Sequence, residues 1–232
     1  MHFEKGHLYH VYNQGNKRQP IFFERRNYFF FLEKMRTHLL PFGDLIAYCL
    51  MPNHFHWMMV VRKVSVVVPA AIHPMTQSHR MNALESHRMN ALDAEKVTQS
   101  HRMNALDAEK VQSLNESIGI LLRSYTRAIN KEQECSGSLF RQKTKAECLT
   151  CNKGITPTFY DSKYGTKMNV PRQEKQYPQA CFDYIHNNPV KAGLVKRAED
   201  WEFSSYRNYM ENRNGGLINK KATKEFGIIF DL

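Results

Sequence analysis

In the run LMPNHFHWMMVV, Leu50 to Val61, two histidines stand one residue apart among apolar neighbours. Neutral imidazole is a common ligand for divalent metal ions. On a β-strand, side chains i and i+2 point to one face. His54 and His56 would then stand side by side, with Phe55 and Trp57 facing the other way. Two imidazoles can seize a divalent ion if a third ligand comes from elsewhere. The alternative is a pair of partly exposed histidines on a sheet, because the HxH spacing alone is common. Burial beside Trp57, Met58 and Met59 would demand hydrogen-bonding partners or a metal.

The charge balance suggests what such an ion would act on. Lys and Arg number 33 against 22 Asp and Glu, a formal net charge of +11. That excess points to a polyanion, and nucleic acid is the first candidate. A basic chain with a two-histidine site suggests metal-assisted phosphate chemistry. Cleaving a phosphodiester also needs an attacking oxygen. A water nucleophile usually comes with several carboxylates around the ion. Here Asp44 is the nearest acid upstream and the apolar strand downstream has none. A protein nucleophile is the alternative. Tyrosine can serve, although its phenol has a pKa near ~10 and needs a cation or base nearby.

Among the 11 tyrosines, Tyr184 in DYIHNNP has Asn188 four residues on. A helix would set both on one face. Asn188 could then offer an oxygen ligand while Tyr184 aims at the same phosphate. His186, two residues on from Tyr184, would point away. Tyr125 in RSYTRAIN is a rival nucleophile, and Tyr184 as a core aromatic with a bonded hydroxyl is a third possibility. The residues alone leave these open.

Several elements must position these groups. HLYHVYNQ (7–14) alternates and reads as a strand. NYFFFLEKMRTHLLPF (27–42) reads as a helix closed by Pro41 and Gly43. DLIAYCLM (44–51) and HFHWMMVV (54–61) read as strands joined at Pro52-Asn53, a hairpin. LNESIGILLRSYTRAINKEQ (114–133) is a helix, with Ile118, Leu121, Leu122 and Ile129 as its apolar positions. SLFRQKTKAECLT (138–150) reads as a strand showing Arg141, Lys143 and Lys145 on one face. YPQACFDYIHNN (177–188) is a short helix stopped by Pro189, and WEFSSYRNYM a further short helix. Strands and helices mix without regular βα alternation, so the class is α+β, a small antiparallel sheet with packed helices.

Two stretches interrupt this plan. SHRMNAL occurs three times, beginning at Ser78, Ser86 and Ser100. The copies are nearly identical and short for a folded repeat array. Residues 69–111 therefore read as a tandem-repeat insertion in a loop, and the polar 152–175 as a possible second one. One domain is expected over 1–68 and 112–210, with 211–232 as a C-terminal tail. Five cysteines in a chain this long argue against a disulfide framework, and the lone CxxC of Cys148 and Cys151 reads as chance. No signal core opens the chain, and no run reaches the roughly 18 apolar residues of a membrane span. A cytoplasmic protein with direct access to DNA or RNA is expected.

Five blocks carry a resemblance. YHVYNQGNKRQPIF, AYCLMPNHFHWMMVV, GSLFRQKTKA, YIHNNPVKAGLV and DWEFSSYRNY resemble, in that order, those of the single-tyrosine HUH transposases. The branch they are most similar to is the REP-associated tyrosine transposases. The likeness covers roughly residues 7–65 and 114–210. It implies a ferredoxin-like or RRM-like antiparallel sheet, Mg²⁺ or Mn²⁺ at His54 and His56, Asn188 as third ligand and Tyr184 as nucleophile. The implied activity is that of a single-stranded DNA endonuclease and strand transferase cleaving near hairpins through a 5′-phosphotyrosine. The implied partners are single-stranded or hairpin DNA and a possible homodimer. The SHRMNAL repeats have no obvious counterpart in the family, and 152–175 looks longer than its usual connection. A non-catalytic hairpin-binding protein is the alternative. Arg141, Lys143, Lys145, Lys191 and Lys196 are candidate phosphate contacts. Trp57, Trp201 and Tyr206 are candidate stacking platforms for unpaired bases, although for each aromatic alone a core role is the favoured reading.

Overall fold

The main sheet is assembled from four strands: β1 (Leu8–Gln14), β2 (Gly43–Met51), β3 (His54–Val61) and β6 (Lys145–Cys148). The structure is a computed structural model that describes residues 1–69, 109–150, 158–162, 165–169, 176–210 and 216–230. Side chains are described for 1–69, 109–150, 178–210 and 216–230. The strands lie in the order β2-β3-β1-β6, every neighbouring pair antiparallel. Helix α1 (Arg25–Leu39) connects β1 to β2, and α2 (Leu114–Glu132) follows β3 before β6. This is the βαββαβ order of a ferredoxin-like fold, so the expected α+β class is observed. The β2–β3 turn at Pro52-Asn53 is held by Gly15 N–H on the Asn53 carbonyl and by Ile21 and Phe22 N–H on the Pro52 carbonyl.

Each helix is placed by its apolar stripe. In α2, Leu114, Ile118, Leu121, Tyr125 and Ile129 are buried at helical spacing. In α1, Phe31, Met35 and Leu39 do the same. The first turn of α1 is closed by a capping box between Glu24 and Asn27. Phe31 packs on Phe55 and Tyr125, so α1 and α2 cover the sheet face of Phe55 and Trp57. The opposite face is covered by α3 (Gln176–Lys191). Its Phe182 and Ile185 bury against Leu8, Ala47, Cys49, Met58 and Val60. Each of these two side chains contributes about 1.5–3 kcal/mol by burial. They thereby lock the register of α3 on the sheet.

Three sequence expectations change here. Helix α3 was expected to stop before Pro189, but it continues to Lys191 with Pro189 inside. Proline removes one amide donor and crowds the carbonyl four residues back, a cost that the burial of Phe182 and Ile185 offsets. The stop comes instead at Gly193, whose φ of 70° reverses the chain as a helix C-terminus requires. The strand expected over 138–150 shrinks to β6, because the Asn13 side-chain amide bonds the Arg141 carbonyl and the Thr144 hydroxyl and draws 141–144 off the ladder. Arg141, Lys143 and Lys145 therefore do not share a strand face. The expected helix at 201–210 is only α4 (Tyr206–Met210).

Residues 211–232, expected as a tail, include α5 (Lys220–Glu225). It is capped by Asn219, with Ala222 and Ile228 in the core cluster. Ile218 bridges Leu45 at the edge of the sheet, and Arg62 pairs with both Asp44 and Glu225. In the second expected insertion the backbone of β7 (Thr158–Ser162) pairs with β8 (Gly165–Asn169). Residues 65–113 form a separate unit. Its described residues are β4 (Ser65–Pro69) and β5 (Glu109–Ser113), paired antiparallel. The SHRMNAL copies lie outside the described residues. Cys49, Cys135 and Cys181 are free thiols, Cys148 is disulfide-bonded rather than an idle half of a chance motif, and Cys151 lies outside the described residues. Among the described residues no helix is long and apolar enough to cross a membrane.

Candidate active site

Alternation along β3 turns His54 and His56 toward α3, while Phe55 and Trp57 pack behind them. His56 is buried and His54 half-buried. Helix α3 brings Tyr184 over the pair, its ring centroid 5.4 Å from that of His56 in an edge-to-face arrangement. Tyr184 and Asn188 are one turn apart on α3, close enough for the amide to act on the phenol. Asn188 also acts on His54, whose Nδ1 lies 2.6 Å from the Asn53 side-chain oxygen. Tyr184, Asn188 and His54 thus converge from helix and strand. Asn188 is buried, whereas Tyr184 is 41% exposed and open to a ligand.

The electrostatics follow from burial. His54 is pushed below its ordinary pKa by burial, with the Asn188 side chain opposing this in part. His56 is pushed well below it by burial first, then by the proximity of His10 and His54. Both imidazoles are therefore neutral near pH 7, the form that offers a lone pair. Burial raises the Tyr184 phenol and the Asn188 side chain partly offsets it. The Lys191 ammonium lies 5.6 Å from the Tyr184 ring centroid. A cation over a phenol ring favours development of negative charge on it.

The residues fit a divalent cation at a particular atom. His56 Nε2 is buried and without a hydrogen-bond partner, a costly state for an imidazole nitrogen. Its Nδ1 lies 2.9 Å from His10 Nε2. Metal-bound histidines usually donate their second N–H to an acceptor, a place that His10 Nε2 can fill. Among the described residues no cluster of three or more His, Cys, Asp or Glu could hold a metal. The donors that could hold an ion here are the two imidazoles and the Asn188 amide.

His10, Tyr12 and Glu147 were not singled out from the sequence. His10 and Tyr12 alternate on β1 and share the face of His56, and Tyr12 donates to Glu147 across the β1–β6 pair at 2.7 Å. Their period-2 spacing was legible, but their nearness to His56 depends on strand order.

Other expected residues fall elsewhere. Trp57 is fully buried behind the histidines, in the core role that the sequence favours for it over stacking on a base. Trp201 donates its indole N–H to the Leu50 carbonyl and packs against Tyr28 and Phe203. Tyr206 is half-buried beside His186 and Phe230. Tyr125 is buried on the opposite side of the sheet, donates to the Ile21 carbonyl and has its pKa raised by burial. It is no rival to Tyr184. His186 points into the core and bonds Ser205 at 2.7 Å. Arg141, Lys143, Lys145, Lys191 and Lys196 are all exposed.

Comparison with known proteins adds little at the level of residues. No family model matches the chain, and no curated protein matches it. Among solved structures the chain is similar to a REP-associated tyrosine transposase bound to a REP hairpin. The two share 13% sequence identity with a TM-score of 0.47, over 100% of this chain and 90% of the other. A likeness of that size assigns no role to any residue.

Proposed function

We propose that the chain is a metal-dependent single-stranded DNA endonuclease and strand transferase, transposase-like, acting beside DNA hairpins. The observation that carries this reading is the convergence of Tyr184 and Asn188 on the His54–His56 face, beside a His56 nitrogen that has no partner. His54, His56 and Asn188 would hold Mg²⁺ or Mn²⁺. When bound, such an ion supplies positive charge that polarises a phosphoryl oxygen and fixes the scissile group.

The chain's own residues account for the remaining work. Tyr184 Oη forms a bond to the scissile phosphorus, and the bond from phosphorus to the 3′ oxygen breaks. The phenol proton is lost as the attack proceeds, and the departing 3′ oxygen gains a proton from solvent. A 5′-phosphotyrosine and a free 3′-hydroxyl result. Because the diester bond energy is retained, a 3′-hydroxyl attacking in reverse rejoins strands without ATP. Asn188 orients the phenol, and Lys191 stabilises the charge that develops on it. Positioning of this kind accounts for much of the rate. Lys145 and Lys191 flank the site as phosphate contacts.

The test is a denaturing gel with labelled single-stranded hairpin DNA from the flanks of the gene, with Mn²⁺ and with chelator. A metal-dependent protein–DNA band is expected, absent from Tyr184→Phe. Binding with neither cleavage nor adduct would replace this reading with a non-catalytic hairpin-binding protein. Cleavage without an adduct would point to water as the nucleophile.

A further inference from the structure

An open groove of about 1190 Å³ runs along α2 where it faces the segment leading into β6. Five cations line it: Arg123 and Arg127 from α2, then Arg141, Lys143 and Lys145. No aspartate or glutamate does. Arg123 and Arg127 are one turn apart and exposed on the same helix face. Of the other described arginines, Arg25, Arg26, Arg36, Arg62 and Arg197 sit in ion pairs, whereas Arg18 and Arg207 do not. Among the described residues none of the five groove cations makes an ion pair. Five like charges left unpaired in one concavity repel one another, and a polyanion relieves that cost.

The helix is also shaped for this. Gly119 occupies the interior of α2, where glycine costs about 1 kcal/mol relative to alanine. A Cβ there would lie 2.9 Å from a guanidinium nitrogen of Arg123. The missing side chain thus leaves room for Arg123 to lie along the groove wall.

The lining distinguishes two forms of DNA. Proteins that hold unpaired strands combine a basic track with exposed rings on which bases stack. The one aromatic residue lining this groove is Phe140, and it is buried. The rest are Arg, Lys, Asn, Gln, Thr and Ser donors with small or aliphatic residues, suited to phosphate oxygens and not to base faces. Lys145 pairs with Tyr12 in the ladder and so shares the face of His10 and His56. The groove therefore ends at the sheet edge beside the candidate active site.

We infer that this groove holds the sugar–phosphate backbone of the base-paired stem, with Arg123 and Arg127 as contacts, while the Tyr184 face takes the adjoining unpaired strand. The inference rests on the hairpin-DNA reading above. It is tested by fluorescence anisotropy with two probes, a blunt DNA hairpin and an unstructured oligothymidine, across a potassium chloride series. The proteins are wild type, an Arg123→Ala/Arg127→Ala double variant, and Lys220→Ala/Lys221→Ala, which removes equal charge far along the chain. The groove variant is expected to bind the blunt hairpin at least tenfold more weakly. Its log–log salt slope should fall by about two, one per lost phosphate contact. Oligothymidine binding should be unchanged, and the α5 variant should match wild type on both probes. An unaltered hairpin slope in the groove variant would overturn the inference. So would an equal loss on oligothymidine, which would make the groove a single-strand channel. Absence of a covalent adduct in wild type sinks the proposed chemistry but leaves this binding result standing on its own.

Discussion

His56 shares one ring nitrogen with His10 and leaves the other without a partner. A neutral His–His bond holds one proton, which sits on one ring or the other. A cation on His56 Nε2 requires that proton on His56 Nδ1, with His10 Nε2 accepting it. His10 is thus a positioning residue for the proposed ion. His10→Phe should keep the ring volume and lose the acceptor. Expected is a 10–100-fold weaker Mn²⁺ affinity, the usual cost of deleting such a partner. Electron paramagnetic resonance of free Mn²⁺ in a titration measures it, with circular dichroism to check the fold. Equal affinity in the two proteins would remove His10 from the site.

Among the secondary elements, β2 depends on a close backbone approach. A Cβ built on Gly43 would lie 1.9 Å from the Val60 carbonyl oxygen on β3. That atom belongs to backbone in the middle of the sheet and cannot swing aside. Gly43→Ala should therefore cost about 1–3 kcal/mol or more, as overpacking does. A lower urea midpoint is the readout, and wild-type stability in this variant would mean that the strand shifts freely. Helix α3 gives the complementary lesson. Pro189 looked like its stop signal, yet the helix passes through it, because packing of Phe182 and Ile185 outweighs one missing amide donor near the end. That extra turn carries Lys191 to the Tyr184 ring.

For the whole molecule, buried neutral histidines make stability depend on pH. Burial depresses His10 to about 4 and His186 to about 3. Below about 6.5, the ordinary histidine value, the unfolded chain takes up protons that the folded chain refuses. Stability therefore falls as pH drops from about 6.5, until each folded value is reached. Each histidine contributes up to about 1.4 kcal/mol per pH unit in that window. Urea midpoints of metal-free protein should drop between pH 7 and pH 5, and His186→Gln should show a shallower drop. A midpoint that does not move would mean that these groups titrate alike in both states.

Local sequence determined the parts of this protein whose physics is local. Period-2 alternation put His54 and His56 on one strand face, period-3.6 spacing put Tyr184 and Asn188 on one helix face, and the Pro52-Asn53 turn joined β2 to β3. These follow from backbone geometry over a few residues. Tertiary structure decided everything that needs two distant segments. Only the strand order β2-β3-β1-β6 brings His10 to His56. Only the seating of α3 brings Asn188 to His54. The burial of Trp57 and Tyr125 depends on which sheet face each helix covers. Arg123 and Arg127 join the cations before β6 because α2 packs beside that segment. No local pattern encodes that nearness, because it is set by burial of the apolar stripes on both faces of the sheet.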